Sequence, residues 1–450
     1  MRITRRRFCY FMVSLYCLFS CYALYSYFFT PSKVTRAHRV YKESPLLRSH
    51  RVGSEKDGYR VSSKVVDEWN PWEEDEKNAK ELRLKVLENY KQGLLSLSSP
   101  SALIELKVQI WGKAAIGLYL WEHVLGGSLE PVDVKAQWRE GKLKAGSIEI
   151  SFITGPALVP GYFSIESENV VLVLNGREES KISFATLWLQ YTKTLVETHK
   201  LRHVAVVLLG NEQCNNDWIR PYLKKYGGFV ALLFIIYDST WINEEDVYQW
   251  PLGVATYRNF PVVEPTWSMV RDSRPYTCNF LGTVYPNSSR ETLMDVVTKG
   301  LHQLCFISPR VHWQPQETND SFALYQNALL QSDLTLSPVG INTECYRIYE
   351  ACSYGSVPVV EDIMTPGNCG NFSKYHNTPL KLLKSMGAPF IFIKSWTELS
   401  AILQREKNMT YHEKVQRRTT VIKWYQQFRL QLKQKFLQKL REVFLLRDGL

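Results

Sequence analysis

Residues 8–29 contain no charged side chain, and the chain then stays polar and charged from residue 30 to residue 99. An uncharged run of this length covers the roughly 20 residues that crossing a bilayer takes. Bulky Tyr25, Tyr27, Phe28 and Phe29 fill the side where a cleaved leader would carry small residues, so the run reads as an uncleaved signal anchor. Arg2, Arg5, Arg6 and Arg7 precede it. By the positive-inside rule residues 1–7 form a cytosolic tail, 8–29 the transmembrane helix, and all that follows lies in the secretory lumen. Residues 30–99, with acidic Glu73-Glu74-Asp75-Glu76 and little apolar periodicity, read as a stem that spaces a folded head from the membrane.

Beyond residue 100 apolar and polar positions alternate between two periods. β-rich runs at 106–111, 148–153, 170–174, 204–209 and 229–236 are separated by helix-period stretches at 113–125, 182–199 and 217–225. Strands interleaved with helices predict a parallel sheet covered on both faces. Pro251, Pro261 and Pro265 then mark a polar connection. A second series follows, with CNFLGTV from Cys278 as a strand running into a turn, further strands at 304–307, 334–337, 357–360 and 390–393, and a helix over 289–301. The economical fold class is α/β, with two Rossmann-like domains facing a cleft, at 100–255 and 256–420. In the terminal segment, 421–450, Val421, Trp424, Phe428, Leu432, Phe436, Leu440 and Val443 recur at spacings of three and four, an amphipathic helix expected to pack on another domain.

Composition sharpens this picture at a few points. With 450 residues, 45% hydrophobic and 22% charged, the chain is long enough for more than one core and ordinary for a globular head. The net charge of +11 includes the four arginines that set topology, and no nucleic-acid-binding motif accompanies it, which argues against a nucleic-acid partner. The remaining basic excess suits anionic ligands or a phosphorylated glycan. Cys214, Cys278, Cys305, Cys345, Cys352 and Cys369 lie beyond the anchor. They permit disulfides in an oxidising compartment, with 15 possible pairings and none selected. Sequons at Asn287, Asn319, Asn371 and Asn408 are candidate glycosylation sites consistent with a lumenal location.

The segment LSPVGINTECYRIYEACSYGSVPVVED, residues 336–362, carries the chemistry. Gly340 follows a strand and allows a tight turn, and Thr343 is placed to cap the helix that follows. A helix starting at the carboxyl edge of a parallel sheet presents free N–H groups suited to phosphate. Arg347 adds a charge-assisted contact, and Glu350, three residues on, offers two acceptors for the vicinal hydroxyls of a ribose. An arginine for phosphate and a glutamate for ribose describe a nucleotide site. The bare alternative is a solvated i,i+3 ion pair.

This segment resembles the nucleotide-sugar segment of the exostosin-type glycosyltransferases, in which a proline-glycine turn, an Arg-x-x-Glu helix and a Gly-x-x-Pro-Val-Val strand recur. WPLGVATYRNFP from Trp250 and CNFLGTVYPNSSRETL from Cys278 are similar to the family's upstream segments, so the likeness covers most of residues 250–395. It implies a GT-B fold with the donor in the C-terminal domain and the acceptor groove in the N-terminal domain. In its closest form, to a xylose-transferring member, it implies a UDP-xylose donor and β-linked transfer to ribitol 5-phosphate on the O-mannosyl glycan of alpha-dystroglycan in the Golgi. It further implies company with other glycosyltransferases of that pathway. Arg290 and Arg347 would meet the diphosphate, Glu350 the ribose, and Gly282 and Gly340 would allow close backbone approach.

Inversion requires a base for the acceptor hydroxyl. LLGNEQCNNDW follows a predicted strand and supplies Glu212 and Asp217, and Asp238 ends another. These three are alternative candidates. No Asp-x-Asp motif is present, so no metal cofactor is expected, and arginines with helix dipoles would serve the leaving group. Competing readings are a lumenal glycan-binding scaffold without turnover, a transferase of the same family using another UDP-sugar, and a Golgi sulfotransferase. The last lacks a phosphosulfate-binding loop of the GxxxxGK kind.

Overall fold

The computed structural model describes residues 104–445 apart from 133, 134, 136, 315, 366 and 371–378. The predicted tail, anchor and stem therefore all lie outside the described residues. Among the described residues no helix is long and apolar enough to cross a membrane.

Two sheets organise the chain. The first is built from β1 (Leu106–Gly112), β2 (Glu130–Pro131), β3 (Arg139–Ala145), β4 (Ile148–Thr154), β5 (Asn169–Asn175), β6 (His203–Leu209), β7 (Val230–Ile236) and β8 (Val247–Trp250) in the order β2-β3-β4-β1-β5-β6-β7-β8. From β4 to β8 every pairing is parallel, while β2 and β3 add an antiparallel edge. β6 and β7 are buried along their whole length, as strands covered on both faces must be, and their sequences HVAVVLL and VALLFII are correspondingly apolar. The second sheet contains β9 (Tyr276–Thr283), β10 (Cys305–Arg310), β11 (Ser332–Ser337), β12 (Val357–Glu361) and β13 (Ile391–Ile393), ordered β10-β9-β11-β12-β13 and wholly parallel.

Both orders contain a reversal. In the second sheet the chain steps from β9 to β10 on one side and then to β11 on the other, so a crevice opens outside the carboxyl ends of β9 and β11. The first sheet repeats this around β1, with β4 on one side and β5 on the other. The helices used below are α1 (Glu179–Glu197), α2 (Ser289–Thr298), α3 (Asn319–Leu330), α4 (Tyr346–Ser353), α5 (Leu399–Asn408) and α6 (Tyr411–Phe444).

Helix α6 joins the two halves. It begins before the apolar stripe, at Tyr411, where Thr410 and Glu413 form a capping box. Its first half meets the second sheet through Arg418, whose guanidinium bonds the buried Asp333 at 2.6 Å. Its second half crosses to the first, where Phe436 packs at 5.2 Å from Phe234 and 5.8 Å from Trp250, and Phe444 stacks on His203.

Several elements depart from the periodicity. Residues 217–225 form two 3-10 turns, Asp217–Tyr222 and Lys224–Tyr226, because Pro221 interrupts any longer helix. The stretch after β1 is a short α-turn, Ile116–Leu118, that continues as a π-helix, Tyr119–Leu125, ended by left-handed Gly126. Of the six cysteines beyond the anchor, Cys214 pairs with Cys369 and Cys278 with Cys305, leaving Cys345 and Cys352 as thiols.

Candidate functional site

At the reversal of the second sheet lies a cavity of about 170 Å³. Leu281, Gly282 and Thr283 at the end of β9, Arg310 at the end of β10, Arg290 on α2, and Cys345, Tyr346, Arg347 and Glu350 at the start of α4 line it, with Tyr257, Arg258, Glu317 and Tyr325 closing the far side. The position is where an open parallel sheet leaves room for a ligand.

Two guanidinium groups dominate its floor. Nη2 of Arg347 donates to the carbonyl of Leu281 at 2.7 Å, and Nη1 of Arg290 donates to that of Thr283 at 2.8 Å. The Nε of each is buried without a hydrogen-bond partner. A Cβ on Gly282 would stand 2.7 Å from Nη2 of Arg347, and one on Gly340 2.8 Å from Nη2 of Arg290. Each glycine thus makes room for an arginine. Burial, and then the charge of Arg347, push the pKa of Arg290 below its ordinary value. The cavity's ion pairs belong to Arg258 and Arg310, both with Glu317; among the described residues Arg290 and Arg347 have no carboxylate partner. Two neighbouring cations in a half-buried crevice form a site that an anion stabilises.

Helix α4 begins at Tyr346, after an N-cap residue, Cys345, that makes no side-chain cap bond. Cys345, Tyr346 and Arg347 line the cavity, so the positive end of the helix lies beside the same crevice. The cap was expected at Thr343, and here the structure corrects the sequence reading. Thr343 is tied instead to the segment after β12, its N–H donating to Thr365 Oγ1 at 3.0 Å and its hydroxyl to Ile363 O at 2.8 Å. Thr343 lines a smaller neighbouring cavity together with Asp238, Asn342 and Glu344.

Glu350 is buried at 4% exposure and lines the main cavity. Its Oε1 accepts from the Ala255 N–H at 3.0 Å, and its Oε2 from the Tyr325 hydroxyl at 2.5 Å. Burial raises its pKa, opposed by Tyr325, the Ala255 N–H and Arg347. The carboxylate thus fastens the chain leaving β8 to α4 while each oxygen keeps a further lone pair for a ligand hydroxyl.

Facing this crevice is the carboxyl edge of the first sheet. Glu212, after β6, bonds Arg177, after β5, at 2.7 Å, and its backbone carbonyl accepts from Asn342 Nδ2 at 2.7 Å across the two halves. The disulfide Cys214–Cys369 holds the same loop to the segment after β12. Of the three candidate bases, Glu212 is the one brought towards the arginines, close enough for its charge to be felt at Arg290. Asp217 has a side chain 75% exposed and bonds Arg220 and Trp241 at the surface. Asp238 is half-buried in the smaller cavity, where its charge adds to the rise at Glu344. Glu344 was not singled out from the sequence. Burial pushes its carboxyl up to about 7, against hydrogen bonds from Tyr349 and the Leu252 N–H.

Residues 108–251 match the RXYLT1 N-terminal domain and residues 257–445 the RXYLT1 C-terminal domain. The chain is 59% identical to ribitol-5-phosphate xylosyltransferase 1 of Homo sapiens over 452 residues, covering 100% of both chains. It is 57% identical to the protein of that name from Mus musculus, covering 100% of both, and 51% identical to that from Danio rerio, covering 99% of both. The chain belongs to the ribitol-5-phosphate xylosyltransferase 1 family. Among solved structures, the catalytic domain of starch synthase IV from Arabidopsis thaliana, bound to ADP and acarbose, shares 9% identity at a TM-score of 0.40, covering 75% of this chain and 99% of that one. A likeness that distant carries no argument here.

Within this member of the family, Asn287, Asn319 and Asn408 are exposed, while Asn371 lies outside the described residues. Arg258, Arg310, Glu317 and Tyr325 escaped the sequence reading. They come from four separate segments and share no spacing, so only the fold brings them together.

Proposed function

We propose that the chain is an inverting, UDP-xylose-dependent xylosyltransferase of GT-B type, which adds xylose in β linkage to ribitol 5-phosphate on the O-mannosyl glycan of alpha-dystroglycan. Its anchor would hold the catalytic head in the Golgi lumen as a single-pass type II membrane protein. Membership of the family supports the reaction. The observation that carries the donor site is the pair Arg290 and Arg347, without a carboxylate partner among the described residues, beside the open N-terminus of α4.

In this reading the diphosphate of the donor lies against Arg290, Arg347 and the first N–H groups of α4, and the ribose hydroxyls against Glu350. Gly282 and Gly340 keep the arginines at working height. Glu212 takes the proton of the acceptor hydroxyl, the acceptor oxygen forms the new bond to C1 of xylose on the face opposite the departing diphosphate, and the bond from C1 to the UDP oxygen breaks. Charge growing on the diphosphate is met by fixed guanidinium and backbone donors, which need no reorganisation as the bond cleaves. We assign no metal to this step.

The test is UDP release by the purified protein from UDP-xylose, with a ribitol-phosphate-bearing acceptor and EDTA present. Acceptor-dependent release that survives chelation, and that falls at least 100-fold in Glu212→Gln but not in Asp217→Asn, supports the reading. UDP binding without turnover on this acceptor leaves the scaffold alternative, and absence of UDP binding overturns the donor site.

A further inference from the structure

The first sheet has its own reversal, between β1 and β5, and a cavity of about 330 Å³ lies outside the carboxyl ends of β1, β4 and β5. Lys113, just after β1, Pro156, just after β4, and Asn175 at the end of β5 form its mouth, while Lys181, Phe184 and Trp188 of α1 form a wall. It is distinct from the arginine-lined cavity, with which it shares no residue.

The cations of this crevice are held in a particular way. The Lys113 ammonium lies 4.2 Å above the Phe184 ring and donates to the Pro156 carbonyl at 3.2 Å, and among the described residues it has no carboxylate partner. An ammonium has three donors, so at least one remains for a ligand. Among the described residues Lys181 pairs with Glu178 alone, at 3.6 Å, with both side chains more than half exposed. Such a screened surface pair contributes little and yields readily to a better-placed anion. Beneath the two lysines the wall is aromatic and aliphatic, a surface for the carbon face of a polyol rather than for a second charge.

Distance then ties this crevice to the reaction. β5 and β6 are neighbours, and β1 lies next to β5. Strands stand ~4.8 Å apart, so the ends of β1 and β6 are about 10 Å apart. Glu212 follows β6 and Lys113 follows β1. That span is about the reach of one extended five-carbon alditol with its terminal phosphate.

We infer that the β1–β5 crevice is the acceptor's anion subsite, in which Lys113 and Lys181 hold the phosphate of the acceptor's ribitol phosphate while the alditol crosses the ends of β5 and β6 to present a hydroxyl at Glu212. The inference rests on the proposed function and adds the rule by which that acceptor is recognised, through its phosphate and one alditol away from the attacking oxygen.

Calorimetric titration of the UDP-loaded protein with ribitol 5-phosphate and with ribitol tests it. In the wild type the phosphate should strengthen binding about tenfold. Lys113→Glu and Lys181→Glu should abolish that preference and raise KM for the phosphorylated acceptor about tenfold, with kcat within twofold and UDP affinity unchanged. Lys113→Ala, at an exposed position, guards against a folding defect and should show the same preference lost to a smaller degree. Equal binding of ribitol and its phosphate to the wild type overturns the subsite, as does an unaltered KM in both Glu variants. Failure of the proposed function is separate, since it would show as lost UDP binding or absent turnover in the wild type, whichever acceptor the crevice prefers.

Discussion

Nη2 of Arg347 stands 2.7 Å from the point that a Cβ on Gly282 would occupy. A real Cβ never comes so close, so Gly282→Ala must displace the guanidinium, and because the contact is to the far end of a long side chain the backbone need not follow. Gly340 and Arg290 repeat the relationship at 2.8 Å. Gly282→Ala and Gly340→Ala should therefore each weaken UDP binding about tenfold, with a melting temperature close to wild type. Calorimetry with UDP alongside a thermal melt checks both halves, and a large loss of stability with unchanged affinity would refute the account.

Glu350 serves the fold and the site at once, and two substitutions separate these roles. Glu350→Ala leaves the Ala255 N–H and the Tyr325 hydroxyl without their acceptor in a buried place, which costs about 1–3 kcal/mol for each such group. Glu350→Gln keeps one carbonyl acceptor while removing charge. The expected result is a marked fall in melting temperature for Ala and a small one for Gln, with UDP affinity reduced in both. Equal melting of the two variants would show that the Ala255 and Tyr325 bonds contribute nothing.

The difference between these two glutamate roles also shows how far the sequence could be read. β6 and β7 were legible because strands buried on both faces are uninterrupted apolar runs. β3 was not, because REGKLKA is a partly exposed strand next to the sheet's edge with a single large apolar side chain, Leu143, and looks like a loop. The Arg-x-x-Glu spacing placed Arg347 and Glu350 on one helix face, but not Glu350's burial, since Ala255 and Tyr325 reach it from distant segments. Glu344 carried no motif at all. What makes it notable is the desolvation and the Asp238 charge that the folded chain imposes on it.

That desolvation has a consequence for pH. The Glu344 carboxyl titrates near 7 in the fold against 4.5 ordinarily, so the folded state holds its proton more tightly than the unfolded chain does. Its contribution to stability is therefore fully present below about pH 4.5 and is lost as pH rises through about 7. The full swing from a shift of this size is roughly 2–4 kcal/mol. Melting temperatures measured from pH 5 to pH 8 should fall more steeply for the wild type than for Glu344→Gln, which keeps an acceptor for Tyr349 and Leu252 and cannot titrate. Parallel curves would mean that Glu344 does not govern this window.

Cys214–Cys369 ties the loop that carries Glu212 to the segment after β12, and so spans the gap between the two sheets. Asn368 reinforces it, its N–H donating to the Gln213 carbonyl at 3.1 Å. The bridge joins residues 155 apart in sequence, whereas Cys278–Cys305 joins residues only 27 apart on adjacent strands. A cross-link that closes a longer loop removes more freedom from the unfolded chain, typically about 2–4 kcal/mol in all. Cys369→Ser should therefore destabilise the protein by about that amount, and Cys305→Ser by less. The longer bridge has a second effect that the shorter lacks. Releasing it frees Glu212 to move relative to Arg290 and Arg347 while leaving those arginines in place, so kcat should fall several-fold in Cys369→Ser at a temperature where the variant remains folded, with UDP affinity unchanged. Loss of UDP affinity in step with kcat would place the bridge's influence on the donor cavity instead.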